Sequence, residues 1–185
     1  MAALICTGNV SLDGYINDEN GSIDWTAPSE EYFACISELE RPIGTYLYGR
    51  KLYQSMLYWE TAQPGPDDPF DMSGYATLWR AADKIVYSTT LATAPSARTR
   101  IERTFDPAAV AAMKHTAERD LSIGGPTLTA HALSAGLVDE LRLFVLPVVI
   151  GGGTRFLPDG LRTQLRLADQ HNFADGVVYL RYLTS

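Results

Sequence analysis

Two stretches of this 185-residue chain place glycine where an apolar run gives way to a helical pattern. Asp120-Leu121-Ser122-Ile123 stops at Gly124-Gly125, and the helical pattern begins at Thr127. Ile43 to Tyr48 stops at Gly49-Arg50-Lys51, ahead of a helical segment from Leu52 to Glu60. Glycine removes Cβ where the chain reverses, so backbone N–H groups can approach a bulky anion, and the following helix start adds partial positive charge. At the second junction a guanidinium offers a fork to phosphate oxygens and an ammonium adds a point charge. Both junctions are suited to phosphate. Ser88-Thr89-Thr90, after the short strand Lys84 to Tyr87, adds hydroxyls at a third strand end. The long Leu- and Val-rich run from Glu140 to Ile150 closes at Gly151-Gly152-Gly153, a fourth.

The chain carries a net charge of −7, with a sequence pI near 4.9. That balance argues against nucleic acid or an anionic membrane surface as partner, since both require a clustered basic face. An anionic ligand must then be held by a few local cations. Hydrophobic residues make up 46% of the chain, enough to bury one core, and the expectation is a single domain over residues 1–185. Cys6 and Cys35 lie in apolar surroundings without CxxC spacing, which reads as two reduced thiols in a cytoplasmic protein. No apolar stretch has the length of a membrane span, and the N-terminus lacks the basic region of a signal peptide. His115, His131 and His171 stand apart, so no metal site is expected, and neither a Walker loop, a G-x-G-x-x-G fingerprint nor a serine nucleophile elbow is present.

The elements that would position these residues follow in order. Ala3 to Val10 reads as a buried strand running into the ordered loop Ser11 to Ile16. A helix after Pro28, capped by Ser29, carries Glu30 and Glu31 in its first turn and an apolar stripe of Tyr32, Phe33, Ile36 and Leu39. Gln63 to Pro69 reads as a surface loop, and Ser73 to Ala82 as a helix. Arg98, Arg100 and Arg103 read most simply as a solvated face. Asp106-Pro107 is a helix start, cap plus first-turn proline. Leu165 to Asp169 and Val177 to Leu183, joined at Asp175-Gly176, read as an antiparallel hairpin at a sheet edge. The expected fold class is α/β, with a mixed, mostly parallel sheet, helices on both faces and that C-terminal hairpin.

SLDGYI after the first strand, YGRKLYQSM after the second, VYSTTL after the next, then IGGPTL and LPVVIGGGTRF occur in the order of the dihydrofolate-reductase-like superfamily. Within it the chain resembles stand-alone relatives of the reductase domain of the bifunctional riboflavin-biosynthesis enzyme. The resemblance implies an NADPH-dependent reductase with a mixed eight-stranded sheet and the cofactor across the sheet edge. It puts Gly49, Arg50 and Lys51 near cofactor phosphates, and Ser88 and Thr89 near the adenosine ribose and its 2′-phosphate. Asn9, Val10, Asp13 and Gly14 would line the nicotinamide and substrate side. Ile123, Gly124, Gly125, Pro126, Thr127, Leu128 and Gly152 complete the implied cofactor set, with a cis peptide joining Gly124 to Gly125. The chain departs from dihydrofolate reductase at Leu52, where that pattern has threonine, and at Pro126, which replaces a third glycine. The HxE and PCxxC elements of the riboflavin enzyme's deaminase domain are absent. A homodimer is expected from the same resemblance.

Hydride transfer needs the acceptor held against the nicotinamide, water excluded, and a proton supplied. A carboxyl in an apolar cleft can supply it if burial raises its pKa. Asp13 and Glu31 are the candidates, then Glu30. Their plainer readings are a turn aspartate before glycine and first-turn placement on the helix dipole. Trp25 can stack on a flat heterocycle, and Phe144 holds the strand position that faces the pterin-binding acid in dihydrofolate reductase. The leading expectation is reduction of a small heterocyclic or carbonyl substrate. The alternative is a non-catalytic NADPH-binding or sensor protein, and the pyrimidine reductase of riboflavin synthesis ranks below the generic reductase.

Overall fold

A computed structural model of the protein describes residues 1–26, 29–63, 65 and 72–184. The loop expected over Gln63 to Pro69 and the Pro28 helix boundary fall largely outside these residues. The strands are β1 (Leu4–Ser11), β2 (Tyr15–Asn17), β3 (Ile43–Gly49), β4 (Asp83–Tyr87), β5 (Thr99–Glu102), β6 (Asp120–Gly124), β7 (Glu140–Leu146), β8 (Thr154–Arg155), β9 (Leu165–Asn172) and β10 (Val178–Thr184). The helices are α1 (Glu30–Glu40), α2 (Arg50–Met56), α3 (Tyr58–Thr61), α4 (Met72–Ala81), α5 (Pro107–Thr116) and α6 (Pro126–Ser134).

Eight strands form one sheet in the order β5-β4-β3-β6-β1-β7-β10-β9, parallel as far as β7 and antiparallel from β7 to β10 to β9. The expected mixed, mostly parallel sheet with a terminal hairpin is therefore what the chain builds. Successive strand residues face opposite ways, which sorts the core into layers. Leu4, Cys6, Leu47, Leu121, Ile123 and Leu141 pack on one face with Val110 of α5 and Leu128 and Ala132 of α6. Ile5, Tyr46, Tyr48 and Val86 pack on the other with Tyr53 of α2 and Tyr75 and Trp79 of α4. On that second face Phe144, Leu146 and Tyr179 meet Tyr32 of α1.

Local chemistry sets the ends. Ser29 Oγ accepts the Tyr32 N–H and caps α1, and Asp106 accepts the Ala108 N–H ahead of Pro107 at the start of α5. β7 ends at Leu146, four residues short of the expected Ile150, because Pro147 has no N–H to donate. β9 runs past the expected Asp169 to Asn172, since backbone pairing to Val178 carries its polar end. The expected helix Leu52 to Glu60 is broken into α2 and α3 at Leu57. Both cysteines are free thiols, as expected. Among the described residues no helix is long and apolar enough to cross a membrane.

Phe144 has no exposed surface and touches Tyr32, Tyr179 and Phe173, with ring centroids 4.9, 5.0 and 6.1 Å away. Its expected place on the substrate side gives way to a place in the core. Phe144→Ala should lower the unfolding free energy by about 3–5 kcal/mol, read as a lower urea midpoint at unchanged slope. A variant as stable as the parent would mean the ring is not core.

Candidate functional site

The parallel registers bring the phosphate-suited junctions into one row. Gly49 pairs with Tyr87, Tyr48 with Gly124, and Tyr87 with Glu102, so β3, β4, β6 and β5 end together at the same sheet edge. Arg50 and Lys51 follow β3, Ser88 and Thr89 follow β4, and Gly125 follows β6. Gly125 has φ +101°, and a Cβ there would lie 3.3 Å from the Gly49 backbone, with its own φ strained. This positive φ turns the chain into α6, and the Gly124–Gly125 peptide is trans, which corrects the expected cis bond. Leu52 packs directly over Gly124, where a Cβ would collide with its methyl. The hydroxyl missing at position 52 is thus replaced by an apolar cover that requires glycine beneath it.

Arg50 and Lys51 are exposed, and no salt bridge engages either among the described residues. Ser88 is buried, and its Oγ accepts the N–H groups of Thr90 and Leu91 at 3.3 and 3.0 Å, shaping the turn after β4. Arg103 donates to the carbonyls of Ser88 and Leu91 at 2.9 and 2.7 Å. All three arginines are exposed, as expected of a solvated face, and on that face Arg98 pairs with Asp83 and Arg100 with Glu102. Pro126 and Thr127 open α6 with exposed surfaces, whereas Ile123, Leu128 and Val10 are core residues that offer only backbone. Gly152 lies against the Glu19 carboxyl group, which opposes an anion at that position.

On the β1 side of Gly125, β2 and β8 form a separate two-stranded ribbon in which Tyr15 pairs with Arg155. It is tied to the loop after β1 by the Phe156 N–H to Gly14 carbonyl bond and to β1 itself by Phe156 packed on Gly8. Between ribbon and α6 lies an open cleft of about 650 Å³ bordered by Tyr15, Pro126, Thr127, Thr154, Arg155 and Asp159. Among these, Tyr15, Thr154, Arg155 and Asp159 were invisible as site residues in the sequence, since only the β2–β8 register brings them to α6. The TRF that follows the triple glycine was the available signal.

Asp13 is held below the usual carboxylate range by the Ser11 hydroxyl, followed by the N–H groups of Gly151 and Ile150, which it accepts at 2.8 and 3.3 Å. It pins the loop after β7 to the loop after β1. Glu30 and Glu31 are exposed, and Glu31 meets His171 of β9 at 3.2 Å, on the far side of the sheet from the glycine row. Among the described residues the carboxyl that burial pushes up is Glu40, sealed at the end of α1 against Tyr46 and Arg142. Trp25 is half-buried, with its indole N–H buried and unpartnered among the described residues. No cluster of metal ligands occurs among them either.

Because its folded pKa is depressed, Asp13 contributes its loop contacts above the unfolded value of 3.8 and loses them as pH falls through the lower folded value. The Gly151 amide proton should therefore keep one chemical shift down to about pH 4 and move only below it. In Asp13→Ala the shift should be displaced at every pH. A Gly151 titration near pH 6 in the parent would contradict the pinning.

The profile of the RibD C-terminal domain matches residues 2–179. The uncharacterized protein YyaP of Bacillus subtilis (strain 168) is 30% identical over 175 residues, covering 94% of this chain and 90% of that one. A riboflavin biosynthesis protein from Shewanella sp. PV-4 superposes with a TM-score of 0.73 at 20% identity, covering 99% of each chain. A pyrimidine reductase-like protein from Corynebacterium diphtheriae gives 0.70 at 14% identity, over 100% of this chain and 92% of that one. A deaminase/5-amino-6-(5-phosphoribosylamino)uracil reductase from Thermotoga maritima gives 0.68 at 14% identity, over all of this chain, which spans 57% of that one. The likenesses to solved structures establish the shared dihydrofolate-reductase-like fold, and the matched profile establishes the lineage. The chain belongs to the RibD C-terminal domain family, kin to the reductase domain of riboflavin-biosynthesis enzymes.

Proposed function

We propose that the protein is an NADPH-dependent reductase of a small heterocyclic or carbonyl substrate. The observation that carries this is the row formed by Arg50, Ser88 and Gly125 at adjacent strand ends. From β4 through β3 and β6 to β1 is three strand spacings, about 14 Å, a span suited to an extended dinucleotide. NADPH would supply the hydride; everything else falls to the chain's own residues. Arg50 and Lys51 offer cations that no salt bridge engages among the described residues, and Thr89 offers an exposed hydroxyl beside the turn that Arg103 anchors. Gly49 and Gly125 let the ends of β3 and β6 close on each other, with Leu52 packed over Gly124. Asn9, Asp13 and Gly14 belong to the β1 end, where Asp13 orients the loop and leaves the proton to solvent or to the substrate.

A specific observation favours a second reading, a nucleotide-binding protein without turnover: Asp13 is held below the usual carboxylate range, and Glu30 and Glu31 are exposed. NADPH oxidation assayed with pterin, pyrimidine and quinone acceptors separates the two. We further propose one domain and a cytoplasmic, homodimeric protein, with exposed β9 at the sheet edge as the dimer-forming element.

NADPH at a hundredfold excess over its dissociation constant should add about 2.7 kcal/mol to stability, seen as a raised melting temperature, with a smaller rise for NADH. Arg50→Gln should weaken NADPH about tenfold, the worth of a charge-assisted hydrogen bond. No thermal shift at millimolar NADPH sinks the proposal. Sedimentation velocity should return twice the 20.3 kDa chain mass, and a monomer at all concentrations removes the dimer.

A further inference from the structure

We infer that Arg155 holds the nicotinamide-side phosphate of the dinucleotide, reaching across the cleft toward the start of α6. The inference rests on the dinucleotide reading of the groove and assigns a residue that the glycine row does not contain. The cleft of about 650 Å³ lies on the β1 side of Gly125, whereas Arg50 and Ser88 lie on the β3 and β4 side. A dinucleotide laid along the row carries its 2′-phosphate and its pyrophosphate at separate places, and Arg50 cannot serve both.

Arg155 is prepared for that role. It is paired in register with Tyr15, and its guanidinium carbon lies 5.0 Å from the Tyr15 ring centroid. A side chain already stacked on an aromatic face gives up less freedom when it meets an anion. Its ion pair with Asp159 is 3.6 Å long, with the two side chains 53% and 94% exposed, so that contact contributes little to stability and is readily exchanged. Opposite stands the first turn of α6, capped by Gly125, which offers no side-chain hydrogen bond to the leading N–H groups. A phosphate between them would satisfy both walls. Asp159 also borders the cleft, and its carboxylate opposes the same phosphate.

Calorimetric titration of the full chain with NADPH, reduced nicotinamide mononucleotide and adenosine 2′,5′-bisphosphate tests this. Arg155→Gln should weaken NADPH and the nicotinamide half about tenfold or more while leaving the adenosine half unchanged. Arg50→Gln should do the reverse. Arg155→Lys should fall between parent and Arg155→Gln, and Asp159→Asn should tighten the nicotinamide half severalfold, a gain that a purely structural role would not produce. Equal affinity of parent and Arg155→Gln for the nicotinamide half overturns the assignment and leaves the groove reading intact. Equal weakening of both halves also overturns it, because the effect is then one of overall charge or fold. A parent that binds none of the three removes the groove reading and this assignment together.

Discussion

The backbone contact between the ends of β3 and β6 is the constraint on which the rest depends. Gly49, Gly124 and Gly125 approach so closely that a Cβ on Gly125 would sit 3.3 Å from the Gly49 backbone, while Leu52 closes over Gly124. Parallel strands normally lie under 5 Å apart with side chains standing off the sheet. Here the side chains are removed where both strands leave the sheet, and two consequences follow. The chain can turn at once from β6 into α6 through Gly125 at φ +101°, a conformation only glycine adopts without strain. The edge also becomes a close junction of two backbones, flanked by Arg50 and the α6 N-terminus.

Strand–helix alternation and glycine placement made most of the fold legible. Junctions whose chemistry is local, such as Asp106-Pro107 before α5 or Asp175-Gly176 in the hairpin, were readable because cap and turn residues act within a few positions. Boundaries set by partners were not. β9 continues through Gln170, His171 and Asn172 only because β10 lies beside it. The candidate site divides along the same line. Gly49, Arg50, Ser88 and Gly125 carry their meaning in sequence, whereas the meeting of Arg155 with Tyr15 depends on a two-stranded register between segments separated by most of the chain. Phe144 misled because a strand position was matched without knowing that Tyr32 and Tyr179 would bury it.

Asp13 illustrates how a polar residue in a suggestive place can be committed to structure. Three donors converge on its carboxylate, so the charged form is favoured and a proton is released rather than held. The same bonds fasten the loop after β7 to the loop after β1, and that fastening sets the base of the β2–β8 ribbon, since Gly14 beside Asp13 accepts the Phe156 N–H. Its work is positional. Glu40 shows the opposite case: burial raises its pKa, yet it sits at the end of α1 against Tyr46 and Arg142, away from the glycine row.

On the proposed NADPH reading, an acidic molecule must place its cations well to take up a polyanion. With a net charge of −7 the average field repels NADPH, but that repulsion is spread over the surface and is screened within about 10 Å at ordinary ionic strength. A cation in contact at about 4 Å acts well inside that distance, where each pair is worth on the order of 1–4 kcal/mol. Local contact therefore outweighs the global charge, provided the cations are not already neutralised. Arg98 and Arg100 pair with Asp83 and Glu102, and Arg103 is spent on carbonyls. Arg50 and Lys51, free of such partners among the described residues, and Arg155, held only by the loose Asp159 contact, are the cations of this edge left to meet an anion. On that reading, the distribution of ion pairs, more than the number of basic residues, fits one edge of an acidic protein for phosphate.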